Sequence, residues 1–294
     1  MTFRKQKEIT GHAAAVYACL AKGNLIYSGS ADKFVARWRI DEGIQDKFSI
    51  RFEQSIYALE LVDPNILAVG LSDGGLHFFD TDTRKELKYF TQHTAAIFSI
   101  KCNPTKEHIY VGDAEGNLSI WDFQFNLLIY LPLNCGKIRS IDVSKDGGQF
   151  VLACQDGTIR LFETEFFNEI KTLVAHENGA TAVLFHPLNE KQLISGGKDA
   201  LLKRWNLETE EILQTVVAHT FAVYAIVSLQ NGEILMTASR DKNVKVWKSE
   251  DLEFIKRLDF KEGGHRHSVN ALAKIDEQTI VSCSDDKRLI IWEE

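Results

Sequence analysis

Short apolar stretches alternate with turn residues along the chain, and the segment 218–260 shows the pattern clearly. An apolar run over 223–227 predicts a buried strand, and residues 233–239 predict a second strand that ends in Ser-Arg-Asp. Residues 243–247 alternate between polar and apolar side chains, as a half-buried strand does, and residues 253–258 predict a fourth strand. The segment shows no helical periodicity. It is therefore predicted to form one four-stranded antiparallel sheet.

The same pattern recurs seven times, and each unit is marked by an aromatic residue that stands six positions after an acidic residue. The pairs are Asp32–Trp38, Asp73–Phe79, Glu115–Trp121, Asp156–Phe162, Asp199–Trp205, Asp241–Trp247 and Asp286–Trp292. The spacing inside a unit is constant while the spacing between units drifts, which indicates a fixed local geometry with insertions confined to loops. Seven such units predict an all-β fold, a single seven-bladed β-propeller over residues 1–294 with four antiparallel strands per blade.

The position of the last unit predicts how the ring closes. Only two residues follow Trp292, so the seventh unit lacks a fourth strand of its own. Residues 3–9 precede the first unit just as residues 253–258 precede the seventh. We expect residues 3–9 to be the outer strand of blade seven, because an open ring would expose the apolar faces of two blades.

The repeat resembles the WD-repeat family, whose unit opens with Gly-His and ends near Trp-Asp. Opening pairs occur at 11–12, 92–93, 175–176, 218–219 and 264–265, and the literal closing pair is Trp121-Asp122. The resemblance implies a buried hydrogen-bonded set of His, Ser or Thr, Asp and Trp within a blade. By position, the complete sets are His12, Ser28, Asp32 and Trp38; His176, Ser195, Asp199 and Trp205; His219, Thr237, Asp241 and Trp247; and His265, Ser282, Asp286 and Trp292.

The other three units depart from this set. The His, hydroxyl and Trp positions are held by Phe52, Val69 and Phe79 in unit two and by Asn134, Leu152 and Phe162 in unit four. Unit three keeps His93 and Trp121 but has Val111 and Glu115 at the hydroxyl and acid positions. We expect these units to lack the hydrogen-bonded set. The Asp-Gly pairs of units two and four are then predicted to serve only a hairpin turn.

Composition and charge narrow the classes of function. The formal net charge is −7, which argues against a general affinity for nucleic acid or for an anionic membrane. The first ten residues are polar, and no apolar run approaches the length of a membrane span. The five cysteines stand singly without a Cys-x-x-Cys pair, which is typical of free thiols in a reducing compartment. We therefore expect a cytoplasmic protein.

The sequence contains no recognisable catalytic or nucleotide-binding motif. Nucleotide-loop, zinc-protease and serine-hydrolase patterns are all missing. Five of the nine histidines open repeat units, and the others have no second ligand at a suitable spacing; His265-Arg266-His267 alone lacks the three or four convergent ligands of a metal site. We expect neither a cofactor nor a metal.

The family resemblance also implies which side chains border the central channel at the top face of the propeller. By position these are the aromatic residues Tyr17, Tyr57, Phe98 and Tyr224 and the cationic residues Lys137, Arg139, Lys198 and Arg240. An aromatic arc that faces a basic arc would suit an acidic or phosphorylated segment with an apolar anchor. The alternative is that the aromatic rings merely plug the channel and the cations are solvated.

Two functions remain open at this point. The first is a non-catalytic protein–protein interaction scaffold or adaptor that binds a peptide or partner loop at the top face and works as a subunit of a larger complex. The second is a small-molecule or metal-dependent enzyme that uses the central channel. Such an enzyme needs converging His, Asp or Glu side chains. The resemblance places one more residue at the rim, Asp285, directly before the repeated acid of unit seven; it is the only acid at these positions, which contain no histidine, and this favours the first function.

Overall fold

The computed structural model describes residues 2–294, which form seven four-stranded antiparallel sheets. Blade one consists of β2 Val16–Lys22, β3 Leu25–Ser30, β4 Phe34–Arg39 and β5 Ile44–Arg51. Blade two consists of β6 Ile56–Asp63, β7 Ile66–Leu71, β8 Leu76–Asp80 and β9 Glu86–Phe90. Blade three consists of β10 Ile97–Asn103, β11 His108–Asp113, β12 Asn117–Asp122 and β13 Leu127–Pro132.

The second half of the chain continues the same order. Blade four consists of β14 Ile138–Val143, β15 Gln149–Cys154, β16 Thr158–Glu163 and β17 Glu169–Val174. Blade five consists of β18 Ala180–Phe185, β19 Gln192–Gly197, β20 Leu201–Asn206 and β21 Ile212–Val217. Blade six consists of β22 Val223–Leu229, β23 Ile234–Ser239, β24 Val244–Lys248 and β25 Phe254–Leu258. Blade seven consists of β26 Val269–Lys274, β27 Thr279–Ser284, β28 Arg288–Glu293 and β1 Arg4–Thr10.

Helical structure within residues 2–294 is limited to two short 3₁₀ turns, Gln230–Gly232 and Phe260–Glu262. Neither turn has the length or apolarity of a membrane-spanning helix. The first strand of every blade contacts the first strand of the next blade, and β26 contacts β2. The seven-bladed ring predicted from the repeat is confirmed.

The N-terminal strand closes the ring as predicted. Strand β1 pairs antiparallel with β28, with Ile9 opposite Leu289 and Thr10 opposite Arg288. Phe3 and Ile9 are each only 1% exposed. The strand begins at Arg4 and ends at Thr10, one residue later at each end than the predicted range. Blade seven is thus built from both ends of the described chain.

Blades pack face to face because the second and third strands carry buried residues on both sides, as in the fully buried strand β23. Glycines allow the closest approaches between blades. A Cβ atom on Gly29 would lie 2.4 Å from Cγ2 of Ile56 in the next blade, and one on Gly70 would lie 2.5 Å from Cγ2 of Ile97. A side chain at either position would push two blades apart.

Candidate functional site

Blade six shows how the hydrogen-bonded set is arranged. The indole N–H of Trp247 donates to Thr237 Oγ1 over 3.0 Å, and Thr237 Oγ1 lies 2.7 Å from Nε2 of His219. Nδ1 of His219 lies 2.9 Å from Asp241 Oδ2. Because an indole nitrogen only donates, the threonine proton is free to go to Nε2, and Nδ1–H then donates to the carboxylate. The neutral imidazole therefore carries its proton on Nδ1.

The same chain of contacts occurs in blades one, five and seven, through the residues named for those units. The hydroxyl and the indole do not reach the carboxylate; in blade six its other donors are the backbone N–H groups of Thr220 and Asn243. The set therefore ties the loop that enters a blade to the turn between its second and third strands, both at the top face.

Acidification is expected to destabilise the fold through these sets. Burial lowers the pKa of His176 and His219. Burial alone would raise the pKa of Asp241, but the hydrogen bond and charge of His219 outweigh it and hold that pKa well below its usual value. The unfolded chain, with pKa values of about 6.5 for His and about 3.9 for Asp, then binds more protons than the folded chain. Stability should be fully present above about pH 7, fall below about pH 6.5 and fall again below about pH 4.

Urea unfolding at a series of pH values measures this effect. The midpoint concentration of urea should decrease steadily on acidification with an unchanged slope. A midpoint that rises as the pH is lowered from 7 towards about 5 would show that the histidines gain protons more readily in the folded state, contrary to the prediction.

Blade three contains a complete hydrogen-bonded set, so the prediction that it lacks one is wrong. His93 Nδ1 lies 2.8 Å from Asp113 Oδ2, and His93 Nε2 lies 2.7 Å from Ser119 Oγ. The indole of Trp121 donates to Ser119 Oγ over 2.8 Å. Ser119 stands directly opposite Val111 across the β11–β12 ladder, so its hydroxyl reaches the same space from the neighbouring strand. Asp113 is therefore the carboxylate of this set, whereas Glu115, at the acid position of the repeat, is exposed.

Blades two and four fill the corresponding space with aromatic rings. The rings of Phe52 and Phe79 meet edge to face at 5.7 Å, and Phe162 stacks on Phe150 at 4.9 Å. In blade two the aspartate of the Asp-Gly turn accepts a hydrogen bond only from backbone, as expected. In blade four Asp156 also pairs with Arg160 at 3.1 Å, so its role extends beyond the turn.

Two pairs of free thiols come together although the cysteines are scattered in the sequence. Cys135 and Cys154 lie in one buried apolar cluster, and Cys19 packs against the cluster that contains Cys283 at the junction of blades seven and one; burial raises the pKa of the Cys283 thiol. No sequence spacing signals these contacts, because each pair is brought together by the packing of loops or blades.

The predicted rim aromatic residues and Arg139 form a row of ring and guanidinium contacts, here called the stack, at the mouth of the channel. Ring centroids lie 4.9 Å apart for Tyr17 and Tyr57 and 5.1 Å apart for Tyr57 and Phe98. The guanidinium carbon of Arg139 then lies 4.8 Å from the centroid of Phe98 and 5.7 Å from that of Tyr224. These five side chains border a cavity of about 370 Å³ at the channel mouth, which Arg240 also lines.

The other two predicted cations do not line this mouth, although Lys137 Nζ lies 5.1 Å from the ring centroid of Phe98 at its edge. Lys137 and Lys198 line a smaller cavity of about 110 Å³ between blades four and five, together with Arg139 and Gln155. The structure thus divides the eight predicted rim residues between two adjacent cavities that share Arg139.

The rim cations have no acidic partners. Within residues 2–294, no carboxylate lies within 4.0 Å of the charged atoms of Lys137, Arg139, Lys198 or Arg240. Burial lowers the pKa of Arg139, and its guanidinium makes cation–π contacts with the rings of Phe98 and Tyr224. The single acid at the mouth, Asp285, accepts a hydrogen bond of 2.8 Å from Asn270. Asp285 thus shares the mouth with Arg139 and Arg240, while no acid among residues 2–294 lines the cavity of Lys137 and Lys198.

A group of three charged residues on successive inner strands, of which only Asp142 is fully buried, was missed by the sequence analysis. Glu60, Lys101 and Asp142 each stand three residues after a rim position, and Lys101 Nζ lies 3.2 Å from Asp142 Oδ1. Burial raises the pKa of Glu60, while the charge of Asp142 raises that of Lys101. Each carboxylate also accepts a hydrogen bond from a backbone N–H of the next blade: Glu60 from Cys102 and Asp142 from Phe185. This group therefore links adjacent blades.

No set of three or more His, Cys, Asp or Glu side chains within residues 2–294 has the arrangement of a metal site.

Comparison with known proteins identifies related repeats along the chain. A family model described as "WD domain, G-beta repeat" matches residues 3–39, 84–122, 129–163, 167–206, 210–248 and 255–293. The unmatched residues 40–83 include the first three strands of blade two, where Phe52 and Phe79 stand in place of His and Trp.

Individual relatives are distant. "WD repeat-containing protein 55" of Pongo abelii is 23% identical over 266 residues, which cover 87% of this chain and 69% of the relative. The Homo sapiens protein of that name is 24% identical, covering 82% of this chain and 65% of its own length. "U3 small nucleolar RNA-associated protein 15 homolog" of Gallus gallus is 23% identical, and the match covers 71% of this chain and 41% of that relative. The chain thus spans from two fifths to about two thirds of the length of these relatives.

Proposed function

The chain belongs to the WD-repeat family of β-propellers, and from this premise we propose that it is a non-catalytic platform that binds a peptide or partner loop at its top face. WD-repeat proteins are generally protein-interaction scaffolds. The observation that carries the proposal is the stack of Tyr17, Tyr57, Phe98, Arg139 and Tyr224 around the channel mouth.

The stack has the physical properties of a binding hot spot. Tyr and Arg are enriched at such positions because they bury a large area and still form hydrogen bonds. Each ring is fixed by its neighbours, and the surrounding ring of blades is closed, so little side-chain freedom is lost when a partner binds. Arg139 and Arg240 border the mouth without forming a salt bridge to any described residue, which favours an acidic or phosphorylated segment.

The partner in this proposal is a protein within a larger complex. The name of the Gallus gallus relative associates that protein with a small nucleolar RNA; for this chain we propose contact with protein, because its formal net charge of −7 opposes general binding of polyanions. A cytoplasmic location stays a prediction.

The channel enzyme is the weaker proposal. The group most like a catalytic acid is Glu60, whose pKa is raised by burial. However, Glu60 already accepts a hydrogen bond from backbone, and Asp142 is engaged by Lys101 and by Phe185 N–H. These contacts account for the charged group as a link between blades.

Affinity capture with point variants tests the platform. Tyr57→Ala or Arg139→Ala should weaken retention of partners from the native host by about 2 kcal/mol, roughly thirtyfold, because each removes a central member of the stack. Tyr89→Ala is the matched control, since Tyr89 lies in the same blade as Tyr57 but on the exposed outer strand β9. If all partners stay bound to both rim variants at wild-type strength, the top-face proposal is wrong.

A further inference from the structure

We propose that the small cavity between blades four and five binds a phosphoryl group, so that the segment recognised at the top face is a phosphorylated one. This inference rests on the proposed platform. It specifies that the part of the rim between blades four and five binds phosphoryl groups. The site consists of Lys137, Arg139, Gln155 and Lys198, around a volume of about 110 Å³.

The backbone around the cavity is fixed by hydrogen bonds at the top face. Gln155 N–H donates to Lys137 O over 2.9 Å, and Lys198 N–H donates to Gly179 O over 2.9 Å. Gln155 Oε1 accepts from Lys137 N–H over 3.3 Å, which leaves the amide NH₂ of Gln155 as a donor. The stem of Lys198 passes over Gly179, where a Cβ would lie 3.4 Å from Cδ and Cε of the lysine. The backbone that carries these donors is thus held in place before any ligand binds.

The acids closest in sequence are directed to other partners. Asp156, next to Gln155, pairs with Arg160 at 3.1 Å, and Asp199, next to Lys198, lies 3.0 Å from His176 Nδ1. Three positive side chains therefore line one small cavity without a carboxylate to neutralise them. Like charges that line one cavity repel one another, and a bound anion would offset that repulsion.

The number of charges favours a phosphoryl group over a carboxylate. A phosphorylated side chain carries a charge of about −1.5 to −2 and three acceptor oxygens, which match two ammonium groups, a guanidinium edge and an amide. A carboxylate would neutralise only one of the three cations. The neighbouring mouth, at about 370 Å³, is the larger cavity and is bordered by aromatic rings, so it suits an apolar residue close to the phosphorylated one.

Peptide pools test the site directly on the intact chain. Immobilised protein is incubated with degenerate peptides that carry a central phosphoserine, phosphothreonine or phosphotyrosine, and with matching pools that carry the unmodified residue or glutamate. The wild type should retain at least one phosphorylated pool roughly tenfold better than its unmodified and glutamate counterparts, as expected for charge-assisted hydrogen bonds. Lys137→Glu with Lys198→Glu, and the milder Lys137→Gln with Lys198→Gln, should remove that preference.

The matched control is Lys145→Glu, an exposed lysine of blade four in the loop between β14 and β15, at the opposite end of β14 from Lys137. It makes the same charge change and should keep the preference. Circular dichroism and melting curves verify that all variants are folded.

Several outcomes overturn the phosphoryl site. Equal retention of phosphorylated and unmodified pools, with retention still dependent on Tyr57, rejects the phosphoryl site and leaves the platform intact. Retention that is indifferent to Tyr57→Ala as well rejects the platform. If single-stranded RNA or phosphoinositide vesicles bind in a manner that requires Lys137 and Lys198 while no phosphorylated pool is preferred, the site belongs to that ligand and the inference is wrong.

Discussion

Deletion of residues 2–9 is expected to lower the melting temperature by roughly 10 °C or more and to promote aggregation. Burial of Phe3 and Ile9 contributes about 1.5–3 kcal/mol each, and the loss of β1 leaves the edge of β28 unpaired. Together these losses approach the net stability of a typical domain, about 5–15 kcal/mol. Differential scanning calorimetry and light scattering measure the two effects.

A strand transplant provides the control for this deletion. Residues 2–9 are joined through a flexible linker to the C-terminal end of the shortened chain, so that the same strand pairs with β28 as a consecutive hairpin. We expect this rearranged protein to regain most of the wild-type melting temperature, because the same side chains are buried. A deletion variant with an unchanged melting curve would refute the closure of the ring by β1.

The second large effect is expected in blade three. Asp113→Ala should destabilise the protein by about 3 kcal/mol or more, because it removes the acceptor from His93 and from Asn117 within a buried site. Glu115→Ala is the matched control: it removes the acid that the repeat spacing marks, yet Glu115 is exposed and should change stability by less than about 0.5 kcal/mol. Urea unfolding of both variants gives the comparison.

The result distinguishes two descriptions of the repeat. If Glu115→Ala costs as much as Asp113→Ala, the acid position follows the regular spacing and the geometry of blade three described above is wrong. Ser119→Ala adds a second test, since it should cost about 1–3 kcal/mol by leaving the indole and imidazole nitrogens without a partner.

The sequence predicted the placement of residues that occupy the same position in every unit. It did not predict the placement of a residue whose side chain extends into a site from a neighbouring strand. The eight rim residues were selected by their place in the repeat, and all eight line the two adjoining cavities. Their division between the two cavities was not predictable, because it depends on which side chains of different blades lie next to one another. Ser119 escaped notice for a related reason: it reaches the buried site from β12, while the repeat places the hydroxyl on β11.

The sequence by itself determined the number of blades, the order of their strands and the closure of the ring. Those properties follow from local periodicity and from the need to cover apolar blade faces, both of which can be recognised in one dimension. The tertiary structure alone decided which side chains meet across strands and blades: Asp113 with His93, Cys135 with Cys154, and Lys101 with Asp142. Such contacts depend on strand register and on the twist between sheets, and residues far apart along the chain carry no local signal of either.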